Sequence, residues 1–143
     1  MIEHIGKDGR STKAYFRSFC DDMASLLSAG DLVISRAGAG SVAEFVRCRL
    51  PAILVPYPYS ADDHQLANAF FLEQQGGCIV VLQEQMARLL DETLELIFND
   101  WLLNSFRRNL ERLDRNNSTQ AFIRDLEEIA ESQELAGKEE VPV

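Results

Sequence analysis

Apolar residues fall along this chain in two alternating rhythms. Asp31–Ser35, Ala52–Pro56 and Cys78–Leu82 are short, nearly continuous apolar runs, the pattern of strands buried on both faces. Between them the spacing widens to that of helices. A helix is predicted from Ser41, with Val42, Phe45 and Val46 on one face and Glu44 offset from it, until Pro51 blocks continuation. Asp62 or Asp63 can open the next helix, whose apolar positions Leu66, Ala69, Phe70 and Leu72 run to a stop at Gly76-Gly77. Arg36–Gly40 is a small-residue turn and Tyr57–Ser60 a loop. Strand and helix alternating through short connections predict an α/β fold, a Rossmann-like parallel sheet with helices on both faces.

Outside this region the signals differ. Ile2–Ile5 and Tyr15–Phe19 are weaker strand candidates separated by a polar loop, Lys7 to Lys13. Asp21-Asp22-Met23 opens a short helix through Leu27, closed by Gly30. Downstream only helices are expected: Met86–Phe98, Trp101–Leu113 and Thr119–Glu131, with a break at Asn116-Asn117-Ser118. Residues 1–132 then form one domain, and 133–143 a polar, acidic tail.

Composition narrows the classes. With 143 residues and 46% apolar content the chain fits one domain of about 100–150 residues and excludes wholesale disorder. No apolar run reaches the roughly 18–20 residues of a membrane helix, and Met1–Lys7 lacks a signal-peptide layout, so export is not expected. The formal charge is -9, concentrated in residues 125–143, where Lys138 is the only base. An acidic chain repels nucleic acid, so no nucleic-acid partner is expected. Cys20, Cys48 and Cys78 are scattered, form no CxxC pair and read as free thiols in a reducing compartment.

Three segments carry candidate chemistry. Arg36-Ala37-Gly38-Ala39-Gly40-Ser41 follows a strand and opens a helix, where free backbone N–H groups and a partial positive charge favour phosphate. Its spacing is neither the dinucleotide fingerprint nor the P-loop, and a plain tight turn fits it equally. Ser41-Val42-Ala43-Glu44 fits a capping box, in which Glu44 only ties back to the helix start. The alternative aims its carboxylate at a sugar diol, which two carboxylate oxygens suit. Asp62-Asp63-His64-Gln65 with Asn68 follows a strand end, the side of an open parallel sheet where ligands bind. An Asp of that cluster can simply cap the helix, and Gln65 and Asn68 share a helix face as sugar-reading or solvated amides. No Cys or second His stands at ligand spacing from His64, and there is no GxSxG elbow. Neither a metal, a cofactor nor a covalent mechanism is expected.

These residues together resemble a known family. Phe19–Met23, Asp31–Glu44, Leu50–Pro58 and Asp63–Ala69, in this order, are similar to the C-terminal domain of the MurG family of bacterial N-acetylglucosaminyltransferases. The resemblance runs from about His4 to Leu82. It implies the C-terminal half of a GT-B glycosyltransferase that binds UDP-N-acetylglucosamine, with the lipid-linked muramyl-pentapeptide acceptor met by an N-terminal domain. It also implies a cytoplasmic enzyme, peripheral on the inner face of the membrane, that turns lipid I into lipid II. Carried over by motif, the backbone at Cys20 would hold uracil, and Gly38, Ala39, Gly40 and Ser41 would approach the diphosphate and sugar. Glu44 would take the ribose hydroxyls, and His64 and Gln65 would contact donor phosphate or sugar with Asn68 nearby. The catalytic base belongs to the family's N-terminal domain.

The chain also departs from the family. It opens at what looks like the domain's second strand, without the first strand and its Gly-Gly-Ser turn, and Gly40 stands where relatives commonly carry a larger residue. A truncated relative is therefore expected. The alternatives are the donor-binding subunit of a two-chain transferase, a non-catalytic nucleotide-sugar module, or a flavodoxin-like domain with an unrelated ligand.

Overall fold

A computed structural model describes residues 2–5 and 11–14 as backbone, and residues 17–60 and 63–116 in full. β1 (Ile2–Ile5) and β2 (Ser11–Ala14) pair antiparallel, with Ile2 opposite Ala14. The expected strand at Ile2–Ile5 is present. Its partner lies earlier than Tyr15–Phe19: it takes up part of the polar loop, while Arg17–Phe19 are irregular and residues 15 and 16 lie outside the described set. A polar hairpin strand gains ladder hydrogen bonds without needing the apolar run that pointed to Tyr15–Phe19.

The core is a second sheet of β3 (Val33–Ser35), β4 (Ala52–Leu54) and β5 (Cys78–Val80), all parallel in the order β3-β4-β5. Central β4 is buried at every position, as its unbroken apolar run requires. Its alternating side chains serve two cores. Ala52 and Leu54 join Leu27, Val42, Phe45, Ala69, Leu72 and Leu110 on one side, and Ile53 joins Val55, Val81, Leu96, Leu103 and Phe106 on the other. The first core is closed by α1 (Met23–Ala29), α2 (Ala39–Cys48) and α3 (His64–Gln74), the second by α4 (Leu89–Ile97) and α5 (Asp100–Asn116), which reaches into both. The sheet therefore carries helices on both faces, as the alternation predicted.

Local signals explain most boundaries. Asp22 caps α1 by accepting from the Ser25 N–H at 3.0 Å, and Gly30 closes it. α3 ends at Gln74, and Gly76 in the turn beyond it sits at φ 68°, where a side chain is strained. Two expectations change. Gln83–Arg88 is a 3-10 helix, so the helix expected from Met86 becomes regular only at Leu89 and ends at Ile97. α5 starts one residue before Trp101 and continues past Leu113 to Asn116, because its apolar stripe of Leu103, Phe106 and Leu110 stays in register with the core. The helix expected at Thr119–Glu131 and the tail lie outside the described residues.

Candidate functional site

Parallel strands leave their carboxyl ends together, and these strands do so at Ser35, Leu54 and Val80. The Gly-rich turn leaves β3 there. Gly38 stands at φ -62° and ψ 144° as the residue before α2, so the helix begins at Ala39, two residues earlier than predicted from Ser41. That shift corrects the capping-box expectation. Ser41 lies inside the first turn, no side chain caps α2, and Glu44 is exposed one turn on rather than tied back to the helix start. The first amides of α2 are thus left without a side-chain acceptor. Space is also left beside them: a Cβ added at Gly40 would meet nothing within 4 Å, and one at Gly38 only the Ser41 Oγ at 4.0 Å. Neither glycine is required by packing or by a positive φ.

The second polar segment leaves β4 at the same edge. Asp63 holds the position before α3 in the left-handed region (φ 53°) but makes no side-chain capping bond, and Asp62, the other candidate cap, lies outside the described residues. His64 is exposed at the first position of α3. Gln65 accepts from the Tyr57 N–H through Oε1 at 3.0 Å. Asn68 donates through Nδ2 to the Ala37 carbonyl at 3.0 Å, which ties α3 to the glycine turn and leaves Oδ1 as its open end. Gly38–Ser41 and His64–Asn68 are therefore brought to one edge, as expected.

Cys20 and Glu44 lie further along. The half-buried Cys20 lines a cleft of about 520 Å³ with Arg17, Ser18, Phe19, Met23 and Leu26. Glu44 lines another of about 340 Å³ with Ala24, Leu27, Ala43, Arg47 and Cys48. α1 contributes to both, Met23 and Leu26 to the first and Ala24 and Leu27 to the second, so the two clefts border one helix. Phe19, 77% exposed, adds a flat apolar face beside Cys20 that motif reading did not single out as a site residue. Arg36, also not singled out, lies at the centre of the strand ends. Its Nη1 donates to the Val55 and Pro56 carbonyls at 3.1 and 3.3 Å and to Gln83 Oε1 at 2.8 Å, and its guanidinium stands 5.5 Å from the Tyr57 ring. Among the described residues no cluster of His, Cys, Asp and Glu could hold a metal ion. The arrangement suits an anion at the start of α2 with polar groups of α3 beside it.

The profile of the glycosyltransferase family 28 C-terminal domain matches residues 3–129. The chain belongs to this family. The family 28 domain is 52% identical over 129 residues to the UDP-N-acetylglucosamine--N-acetylmuramyl-(pentapeptide) pyrophosphoryl-undecaprenol N-acetylglucosamine transferase of Opitutus terrae. That match covers 90% of this chain and 34% of the relative. The transferase of the same name from Prochlorococcus marinus is 41% identical over 131 residues, 87% of this chain and 37% of its own. The chain thus spans about a third of the length of the curated relatives it matches. The crystal structure of MurG from Acinetobacter baumannii superposes with a TM-score of 0.60 at 36% identity, over 66% of this chain and 27% of that one. The family 28 fold is the Rossmann-like C-terminal domain of a GT-B glycosyltransferase, as the resemblance implied. Among the described residues no helix is long and apolar enough to cross a membrane.

Proposed function

We propose that this chain is the UDP-N-acetylglucosamine-binding part of an inverting N-acetylglucosaminyltransferase that converts lipid I to lipid II in peptidoglycan synthesis. The observation that carries this reading is the open, side-chain-free approach to the first turn of α2 at Gly38 and Gly40, beside α3 on the same sheet edge. The donor diphosphate lies against Gly38, Ala39, Gly40 and Ser41, where backbone N–H groups and the helix dipole meet its charge. Uracil stands at the Cys20 backbone with Phe19 beside it, and Glu44 accepts from the ribose hydroxyls. His64 and Gln65 contact donor phosphate or sugar, with Asn68 Oδ1 as a further acceptor.

The acceptor hydroxyl attacks the anomeric carbon as the bond to the diphosphate breaks, inverting the configuration there. UDP leaves with the electron pair of that bond. The amino end of α2 stabilises the growing negative charge, a role that calls for no metal. The catalytic base and the lipid-linked acceptor site come, in this proposal, from the family's remaining length, and the reaction takes place peripherally at the inner face of the cell membrane.

Calorimetric titration with UDP-N-acetylglucosamine, with UDP-glucose and ADP as controls, tests the reading. Binding that prefers the N-acetylglucosamine donor is expected. A folded, monodisperse chain that binds none of the three refutes it. Glu44→Ala should cost about 1.5–3 kcal/mol of UDP affinity, the scale of a hydrogen bond to a charged group. Unchanged affinity would remove Glu44 from the site.

A further inference from the structure

A parallel sheet ends in carbonyl groups that the next strand no longer reaches. Val55 and Pro56 are buried just beyond β4, and their two carbonyls would lack donors without help. Arg36 supplies both from one side-chain nitrogen and reaches Gln83 beyond β5 with the same group. A single guanidinium, itself just past β3, thereby spans the ends of all three strands of the sheet. It also stands against the face of Tyr57, a favourable place for a cation. The backbone from Val55 to Tyr57 is consequently fixed. The Tyr57 N–H is the donor that holds Gln65 Oε1. With its oxygen so engaged, Gln65 has its Nε2 amide left to offer.

We propose that Arg36 is a positioning residue of the donor site, touching no donor atom. It fixes Val55–Tyr57 so that the Tyr57 amide holds Gln65 Oε1 and orients the side chain with its Nε2 amide toward the ligand. The ligand group read by that Nε2 amide is an acceptor, a hydroxyl or phosphate oxygen. This inference rests on the proposed donor site for its ligand, while the clamp itself is a property of the free chain. Lysine is not an equivalent: its ammonium, on a differently shaped stem, lacks the planar guanidinium that stands against the Tyr57 ring and holds Nη1 over the two carbonyls.

Two measurements on the full chain separate the clamp from the donor reading. In nitrogen-15 spectra of the ligand-free chain, Arg36→Lys is expected to shift the Tyr57 amide and the Gln65 side-chain NH2 signals and to speed hydrogen exchange at Tyr57. A folded variant in which these signals stay unmoved overturns the proposal. In calorimetry, Arg36→Lys should weaken UDP-N-acetylglucosamine about tenfold, the loss of roughly one hydrogen bond, and match Gln65→Ala in its effect. Added to Gln65→Ala it should cost nothing more, since both act through one amide. Losses that add in the double variant overturn the proposal, because Arg36 would then act elsewhere. If the unmodified chain binds no uridine nucleotide, the donor reading fails, and the spectra alone decide the clamp.

Discussion

Cys78 opens β5, its thiol donating to the Ala69 carbonyl of α3 at 3.6 Å. Burial first, and the nearby Glu73 carboxylate second, push its pKa up to about 12 from an ordinary 9.0. At pH 8 iodoacetamide should label Cys20 and Cys48, both half-buried, well ahead of Cys78, which should react only in denaturant. Peptide mass spectrometry checks this, and early labelling of Cys78 in folded chain would contradict the packing. The sign of the linked effect follows. The unfolded thiol ionises first, so its contribution to stability is complete below about pH 9 and is lost as pH rises toward 12. Legibility at this scale was uneven. Gly38, Ser41, Glu44, His64 and Gln65 stand out in the sequence as candidates because their side chains, or lack of them, suit the proposed chemistry. Arg36 could not, because its acceptors lie 19, 20 and 47 residues away and two of them are backbone carbonyls of apolar residues.

The glycines at the ends of α2 and α3 behave oppositely, and the difference lies in the elements that meet there. A Cβ at Gly76 would approach Asn109 Nδ2 to 2.6 Å at a φ of 68°, and one at Gly77 would come within 2.6 Å of Leu110 Cδ2. Both contacts are with α5, so the turn after α3 is shaped by the helix packed over it. Gly76→Ala should cost about 1–2 kcal/mol from the left-handed backbone alone. Gly40→Ala, with open space and a helical setting, should be neutral or stabilise by up to about 1 kcal/mol. The urea midpoint should therefore fall for Gly76→Ala and hold or rise for Gly40→Ala, and equal losses would mean that α2 does not start where described. Sequence placed the Gly76-Gly77 stop correctly because glycine doublets end helices for local reasons. It misplaced the start of α2, because the Ser-x-x-Glu pattern is satisfied in letters whether or not the chain has already turned at Gly38. It also assigned Gln83–Arg88 in part to a regular helix, since three-residue and four-residue turns share most of their apolar spacing.

Across the whole molecule, the described residues leave an apolar stretch from α4 to the start of α5 uncovered. Leu90, Leu94, Ile97, Phe98 and Trp101 lie along α4 and the start of α5, and Trp101, the only tryptophan of the chain, is 73% exposed. Its fluorescence should be red-shifted and readily quenched by acrylamide. A blue-shifted, protected spectrum would mean that this face is covered in solution. The ion pairs Arg107–Asp31, Arg47–Asp114 and Arg49–Glu111 fasten α5 to the rest across exposed surface, where each contributes at most about 1 kcal/mol. The packing of Leu103, Phe106 and Leu110 therefore holds α5 in place. By itself the sequence determined the alternation of buried strands and one-sided helices, the parallel sheet these demand, and the residue types offered at the strand ends. Those follow from spacing along the chain, which fixes what each segment must bury. Only the tertiary structure decided that β4 is central, that Cys20 and Glu44 stand in separate clefts beside α1, and that Arg36 joins three strand ends. Each depends on which distant segments become neighbours, and that is set by the fit of whole surfaces rather than by any local run of residues.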